Sequence, residues 1–276
     1  MKAGLLQLTS GDDPVANLAM TRDLIAQAVA QGAGFVLTPE VTNCVSQDRG
    51  HQQAVLQMES DDITLEGLRE TARDHAIWLS IGSLAIKTQD ADGRFANRSF
   101  LISPAGDVVA RYDKIHMFDV DVSATETFRE SAGYRPGTRA VLATTPFAKI
   151  GLTICYDVRF PYLHRALAQA GAEVLLVPAA FSPVTGAAHW EPLLRARAIE
   201  TGCYVLASAQ TGEHDVSKGK PRQTYGHAMA ISPWGEVLVD MGTETGVAIV
   251  DLDLAKVAKS RQRVPALTHD RPFEGP

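Results

Sequence analysis

One short phrase occurs twice in this chain, and each time it closes a run of strand and helix patterns. In "RSFLISPAGDVVARYDKIH" two apolar, β-branched segments flank the turn Pro-Ala-Gly-Asp; in "HAMAISPWGEVLVDMG" the same strand, Ser-Pro-x-Gly turn and strand return. Ser103-Pro104 is matched by Ser232-Pro233, and Gly106 by Gly235. Apolar alternation around a glycine-containing turn is the signature of a β-hairpin. Two such hairpins, one in each half, predict an internally duplicated α/β fold. Its form is a four-layer αββα sandwich of two mixed β-sheets flanked by helices, since each sheet must bury one face on the other and its second face under helices.

The segments before each hairpin agree. "KAGLLQLTS" reads as a strand, and Asp12 or Asp13 caps a helix that begins near Pro14 and ends at Gly32 and Gly34. "FVLTPE" is a short buried strand with Glu40 at its C-terminal end; a helix from Ile63 to His75 and the strand "IWLSIGSLAI" follow. Between the hairpins come "KIGLTICYD", a helix "YLHRALAQAGA", the strand "EVLLVPAA", a helix "HWEPLLRARAIETG" and the strand "YVLASAQ". "EHDVSKGKPRQ" reads as a long polar loop, and "DLAKVAKSRQR" as a last surface helix before an extended tail from about residue 262. No Gly/Ser linker or charge block divides the chain, so residues 1–276 are expected to form a single domain.

A net charge of -6 offers no basic stripe for phosphates and argues against a nucleic-acid partner. No apolar stretch approaches the ~20 residues needed to cross a bilayer, and the N-terminal apolar run is too short for a signal peptide. The three cysteines, Cys44, Cys155 and Cys203, show no Cys-x-x-Cys spacing, which fits a reduced, cytoplasmic protein better than a disulfide framework. Neither a dinucleotide fingerprint nor a Walker A pattern occurs, and no His-Glu-x-x-His suggests a metal. Small-molecule chemistry moves up the list, and nucleotide cofactors lose support.

Three polar groups stand where apolar strands end: Glu40, Lys114 and Cys155. In α/β folds such ends converge on a cleft. Taken singly, Glu40 is equally a helix cap, Lys114 a solvated strand end and Cys155 a small buried hydrophobe. Together they resemble the three signature segments of the nitrilase superfamily of carbon-nitrogen hydrolases, in "LTPE", "RYDKIH" and "GLTICYDVRFPYLHRALAQAGAE", in that order. "ATETFRESAGYRPG" supplies the additional glutamate, Glu130, and the spacing from Lys114 to Cys155 is similar to that of the amidase branch. "TGAAHWEPLLRARAIETGCYVLASAQTG" and "TYGHAMAISPWGEV" resemble the Nit amidases in particular.

The resemblance implies a cofactor-independent, metal-free amidase that acts on a small-molecule amide bearing a carboxylate. Candidates are deaminated glutathione and an ω-amide of a 2-oxo acid, cleaved to acid and ammonia through a cysteine thioester. Cys155 is then the nucleophile, Glu40 the general acid and base, and Lys114 with the backbone N–H of Tyr156 the partners of the oxyanion. Glu130 orients substrate or Lys114; as a plain residue it is a loop salt bridge. The resemblance also implies that Arg159, a planar guanidinium suited to a carboxylate, binds the acid end of the substrate, and that Phe181 and Thr185 line the pocket. A surface ion pair for Arg159 and core packing for Phe181 are the plainer readings. A homodimer or higher homo-oligomer is implied too, through the helices "YLHRALAQA" and "LLRARAIE".

The alternatives are an N-carbamoyl amide hydrolase, which would release carbon dioxide with ammonia, and a silent interaction scaffold on the same fold. A Cys-His hydrolase using His116, His164, His189 or His227 is a further rival. Val-Thr-Asn-Cys after Glu40 departs from the family's pattern, at a stretch expected to face the pocket.

Overall fold

A computed structural model describes residues 1–122 and 127–275. The first three residues of the segment "ATETFRESAGYRPG" lie outside the described residues; Glu130 lies within them. In the first half, β1 (Lys2–Leu8), α1 (Pro14–Ala30), β2 (Phe35–Leu37), α2 (Arg49–Val55), α3 (Ile63–Asp74) and β3 (Trp78–Ile86) lead to the hairpin β4 (Ala96–Ile102) and β5 (Val108–Asp113). A small ribbon, β6 (Asp119–Asp121) with β7 (Thr127–Arg129), separates the halves. The second half runs β8 (Val141–Thr144), β9 (Lys149–Leu152), α4 (Pro161–Gln169), β10 (Val174–Leu176), α5 (Pro183–Thr201), β11 (Tyr204–Ala207), β12 (Ala209–His214) and β13 (Arg222–Tyr225). It ends in the hairpin β14 (Met229–Ile231) and β15 (Val237–Asp240), then β16 (Gly246–Asp251) and α6 (Ala255–Arg263).

The duplication is visible in the strand order. One sheet contains β1-β2-β3-β4-β5 and the other β9-β10-β11-β14-β15, each with two parallel pairs followed by two antiparallel ones. The repeated phrase makes the same turn twice. Gly106 N–H donates to Ser103 O and Gly235 N–H to Ser232 O, both at 2.9 Å. The Ser103 hydroxyl accepts from the N–H groups of Ala105 and Asp107, and the Ser232 hydroxyl from those of Trp234 and Glu236. Gly106 and Gly235 sit at φ 81 and 86, left-handed conformations that favour a residue without Cβ.

Strand periodicity builds the layers. Leu5, Phe35, Leu37 and Leu101 face the second sheet and share one core with Ile150, Leu152, Val174, Leu176 and Leu206. Their neighbours Leu6, Val36, Phe100 and Ile102 point the other way, onto Leu24, Ile25 and Ala28 of α1 and Leu65, Leu68 and Ala72 of α3. Trp190, Leu194 and Ala198 of α5 and Leu163 and Leu167 of α4 cover the outer face of the second sheet. The αββα sandwich follows, each fully buried Leu, Ile or Phe stabilising it by about 1.5–3 kcal/mol. No helix among the described residues is long and apolar enough to cross a membrane.

Of the two aspartates expected to cap α1, Asp13 does so, accepting from Val15 N–H at 2.9 Å, while the Asp12 carboxylate accepts from the N–H and hydroxyl of Ser217. Two details differ from the sequence reading. The polar segment "EHDVSKGKPRQ" begins and ends in strands, since Glu213 and His214 pair with Gln223 and Arg222; its polarity belongs to a half-exposed hairpin rather than to a free loop. Helix α5 starts at Pro183, ahead of "HWEPLLRARAIETG". After α6 the tail carries a short 3-10 turn, Ala266–Thr268, whose first two carbonyls accept from the side chains of Arg165 and Gln169.

Candidate active site

Glu40 leaves the sheet through Thr38 and Pro39, in a turn held by Thr38 N–H on Ser80 O and by the Thr42 hydroxyl on Pro39 O. The turn can lie this close to β3 because residue 82 is glycine: a Cβ there would stand 2.1 Å from Thr38 O, 2.5 Å from Pro39 O and 2.5 Å from the Pro178 side chain. Pro178 follows β10, and its carbonyl accepts the N–H of Cys155 at 2.8 Å. Gly82 therefore lets the Glu40 turn and the Cys155 support meet across the two halves.

Cys155 opens a 3-10 turn, Cys155–Arg159, at φ 49, a left-handed conformation costly for a residue with a side chain. The strain is held by Asp157, which is fully buried. Its carboxylate accepts from Ile154 N–H at 2.8 Å, the Tyr112 hydroxyl at 2.6 Å and His116 N–H at 3.1 Å, and pairs with His116 Nδ1 at 2.6 Å. Tyr156 N–H lies in the first turn of this 3-10 segment, where backbone donors are free of intrahelical acceptors and point outward.

Lys114 follows β5, its N–H donating to Asn97 O at 2.9 Å. Its Nζ lies 2.9 Å from Glu40 Oε1 and 3.0 and 2.8 Å from the two carboxylate oxygens of Glu130. Asn97 Nδ2 donates to Glu40 Oε1 at 2.9 Å and to Glu130 Oε1 at 3.3 Å. Ala180 N–H donates to Glu40 Oε2 at 2.8 Å, and Phe118 N–H to Glu130 Oε2 at 2.7 Å. The Cys155 thiol lines one cavity with Glu40, within reach of its charge. Glu40, Lys114 and Cys155 are only 4, 2 and 7 % exposed, so these contacts act in a poorly screened environment.

Burial alone would raise the Glu40 carboxyl, but the charge and hydrogen bond of Lys114, aided by Arg222, hold it below the ordinary carboxylate range. Burial opposes the charged form of Lys114 as well; Glu130 and Glu40 outweigh it and raise the ammonium well above its ordinary value. The Cys155 thiol is pushed up by burial and then by the charge of Glu40, with Lys114 opposing. With two carboxylates against one ammonium, the resting site is a neutral thiol beside a carboxylate. Such an arrangement deprotonates the sulfur only as it attacks.

These groups lie at the base of a cavity of about 410 Å³. Of the residues expected from the sequence, Glu40, Lys114, Glu130, Cys155, Tyr156 and Phe181 line it. Arg159 and Thr185 are not among its lining residues. Arg159 instead sits 5.4 Å from the Phe181 ring centroid and 5.8 Å from that of Tyr156, with both terminal nitrogens 3.3–3.4 Å from His189 Nδ1. Val41, Cys44 and Val45 also face the cavity, so the stretch that departs from the family's pattern does meet the pocket. The Cys44 thiol is pushed up to about 12 by burial and by Asp12 and Asp13, which makes it unreactive at neutral pH. No histidine lines the cavity among the described residues. His164 is buried below the nucleophile turn with Nδ1 on Phe160 O, a structural position.

Among the lining residues that escaped the sequence reading, two matter for the site's chemistry: Asn97, a polar residue inside the buried strand "FANRSFLI", and Arg222, at the edge of the segment read as a polar loop. A buried amide among apolar strand residues is a signal for the first. Nothing local marks the second.

Residues 2–262 match the carbon-nitrogen hydrolase family. A deaminated glutathione amidase of Yersinia enterocolitica is 39% identical over 268 residues, 97% of this chain and 92% of the relative. The crystal structure of the C. elegans NitFhit protein has a TM-score of 0.89 at 36% identity; the likeness covers 98% of this chain and 65% of that one. A variant of the amidase from Nesterenkonia sp. AN1, with acrylamide added at its active-site cysteine, has a TM-score of 0.77 at 27% identity and covers 96% of this chain and 98% of its own.

Proposed function

The chain belongs to the carbon-nitrogen hydrolase family, and from that premise we propose that it hydrolyses the amide bond of a small carboxylate-bearing metabolite through a thioester on Cys155. Deaminated glutathione and the ω-amides of 2-oxo acids are the candidate substrates, the first being the one named in the relatives. The observation that carries this reading is the convergence of the Cys155 thiol and the Lys114 ammonium on one buried carboxylate, Glu40.

In the proposed cycle, Glu40 accepts the thiol proton as sulfur attacks the amide carbonyl. Negative charge then develops on the carbonyl oxygen, beside Lys114 Nζ and Tyr156 N–H, in a site where water screens little. Collapse expels the nitrogen with the proton held by Glu40. The leaving group is ammonia from a primary carboxamide; from deaminated glutathione it is the cysteinyl amine, which corrects the ammonia expected for both, because the amide nitrogen there belongs to cysteine. Glu40, again a carboxylate, takes a proton from water as its oxygen attacks the thioester, and returns it to the departing sulfur. The net change is amide plus water to acid plus amine. Glu130 and Asn97 hold Lys114 and Glu40 in register throughout.

The family match over nearly the whole chain supports reading it as one hydrolase domain with a short tail. Exposed Tyr162 on α4 and Ile199 on α5 support a homodimer formed through these helices, which sedimentation velocity tests directly. Ammonia and amine release over a panel of small amides, with intact-mass detection of an acyl adduct on Cys155, tests the function. A C155A protein that still turned over substrate would reject the nucleophile, and carbon dioxide released with ammonia would move the substrate to the N-carbamoyl class.

A further inference from the structure

The cavity is positive although the chain is acidic: among its described lining residues Lys114, Arg49, Arg129 and Arg222 face only Glu40 and Glu130. Three of these four cations are occupied. Lys114 is held by both carboxylates. Arg129 pairs with Asp121 at 2.7 Å. Arg49 donates to Gly133 O at 2.8 Å and Gly93 O at 2.6 Å, and its face covers the Phe95 ring at 3.8 Å. Arg222 is different. Among the described residues it has no carboxylate partner; one terminal nitrogen donates to Ala180 O, its guanidinium carbon lies 5.6 Å from the Phe128 ring centroid, and its Nε is buried without an acceptor. A buried guanidinium nitrogen left unpaired is costly and calls for an explanation.

We propose that Arg222 holds a carboxylate of the substrate, so that the preferred amide is an anion whose acid group lies a short acyl chain away from the scissile carbonyl. The reach follows from Ala180, whose carbonyl binds Arg222 and whose N–H binds Glu40, so that one residue separates the guanidinium from the reacting end. A planar fork with free donors matches carboxylate geometry, and the surplus of positive charge in a concave site concentrates anions there. The inference deepens the amidase reading and rests on it. It moves the acid-binding role from Arg159, whose terminal nitrogens meet His189 outside the cavity lining, to a residue on β13.

The test compares kcat/KM for the monoamide of glutaric acid with that for valeramide, its neutral counterpart of equal chain length. Wild type is expected to prefer the monoamide. R222Q should lower monoamide kcat/KM by about 30–100-fold, chiefly through KM, while valeramide falls much less. R222K should recover part of the preference, since an ammonium keeps the charge but not the fork. Equal losses on both substrates would mean that Arg222 acts through Ala180 on Glu40, and would overturn the proposal. So would an R159Q variant that loses the preference while R222Q keeps it. Should wild type hydrolyse neither amide, the amidase reading is decided by the wider amide panel and the Cys155 adduct, and calorimetric binding of glutarate decides the inference: binding weakened by R222Q upholds it, and equal binding overturns it. Circular dichroism of each variant separates misfolding from loss of the site.

Discussion

Replacing Glu40 by glutamine separates the acid-base role from the architecture. In the wild-type site Oε1 accepts from Lys114 and Asn97, each at 2.9 Å, and Oε2 accepts from Ala180 N–H at 2.8 Å. A glutamine oxygen can satisfy only one side. It will turn toward the two donors, Lys114 and Asn97, and set its NH2 against Ala180 N–H. That leaves one backbone donor unpaired at a cost of about 1–3 kcal/mol, small beside the roughly 5–15 kcal/mol that holds a domain together. Lys114 keeps Glu130, so no charge is stranded. The protein should fold, with Tm lowered by several degrees. Turnover should fall by about 10²–10⁴-fold, equivalent to roughly 3–5 kcal/mol of transition-state stabilisation, because no group remains to move the proton. The thiol should respond in the opposite direction. The Glu40 charge is one of the forces that keep it protonated, and Lys114 opposes it; E40Q should therefore be alkylated by iodoacetamide at a lower pH than wild type. The decisive assay is the pair of pH profiles, turnover and alkylation. Turnover within tenfold of wild type, or an alkylation profile displaced to higher pH, would refute the assignment of Glu40 as the base.

Lys114→Met removes the one cation shared by the buried Glu40 and the half-buried Glu130, and should abolish turnover while destabilising the fold by about 3–5 kcal/mol, read from urea denaturation; an unaltered midpoint would show that the carboxylates do not depend on it. Gly82→Ala places a Cβ against Thr38 O and Pro39 O, displacing the Glu40 turn, and should depress both Tm and kcat although it touches no reacting group; retention of full activity would argue against the close approach. Acid should destabilise the fold through two buried histidines. His164 and His214 are lowered from 6.5 to about 4 by burial, so below pH 6.5 the unfolded chain binds protons that the native state refuses. Stability present at neutral pH is lost as pH falls from 6.5 toward 4, by up to about 3 kcal/mol for each histidine. In H164N and H214N the slope of urea stability over this window should flatten, and an unchanged slope would acquit that side chain.

The sandwich was legible because its signals are local and periodic. The repeated Ser-Pro-x-Gly turn announces two hairpins, and alternation in "FLISPAGDVVARYD" sorts each side chain to one face. Glu40, Lys114 and Cys155 were legible for a related reason: each is a polar residue at the end of an apolar strand, and the surrounding strings resemble a family. Arg222 and Asn97 were not. Their importance depends on which strand lies beside which, and pairing between β12 and β13 leaves no trace in a segment whose composition is that of a solvated loop. Arg159 shows the converse, since proximity in sequence to Cys155 does not fix the direction of its side chain, whose terminal nitrogens meet His189.

The duplication also explains why the proposed chemistry sits where it does. Of the matching strands, β2 and β10 are each followed by a residue and then proline, Thr38-Pro39 and Val177-Pro178, and Gly82 brings these two turns together. Symmetric turns would by themselves bring two like groups face to face. Instead the first half supplies Glu40, Asn97 and Lys114, with Glu130 from the connection between the halves, and the second supplies Cys155, the Ala180 N–H and Arg222. Where the first half has Glu40 the second has Ala179, and the N–H of the next residue, Ala180, binds the carboxylate. An acid opposed by its own copy would repel it and raise its pKa; opposed by an N–H, it stays ionised and able to accept the thiol proton. Loss of the repeat's symmetry at these few positions, on a scaffold that keeps it elsewhere, is what turns the seam between two similar halves into a site with a charge gradient and a direction of proton transfer.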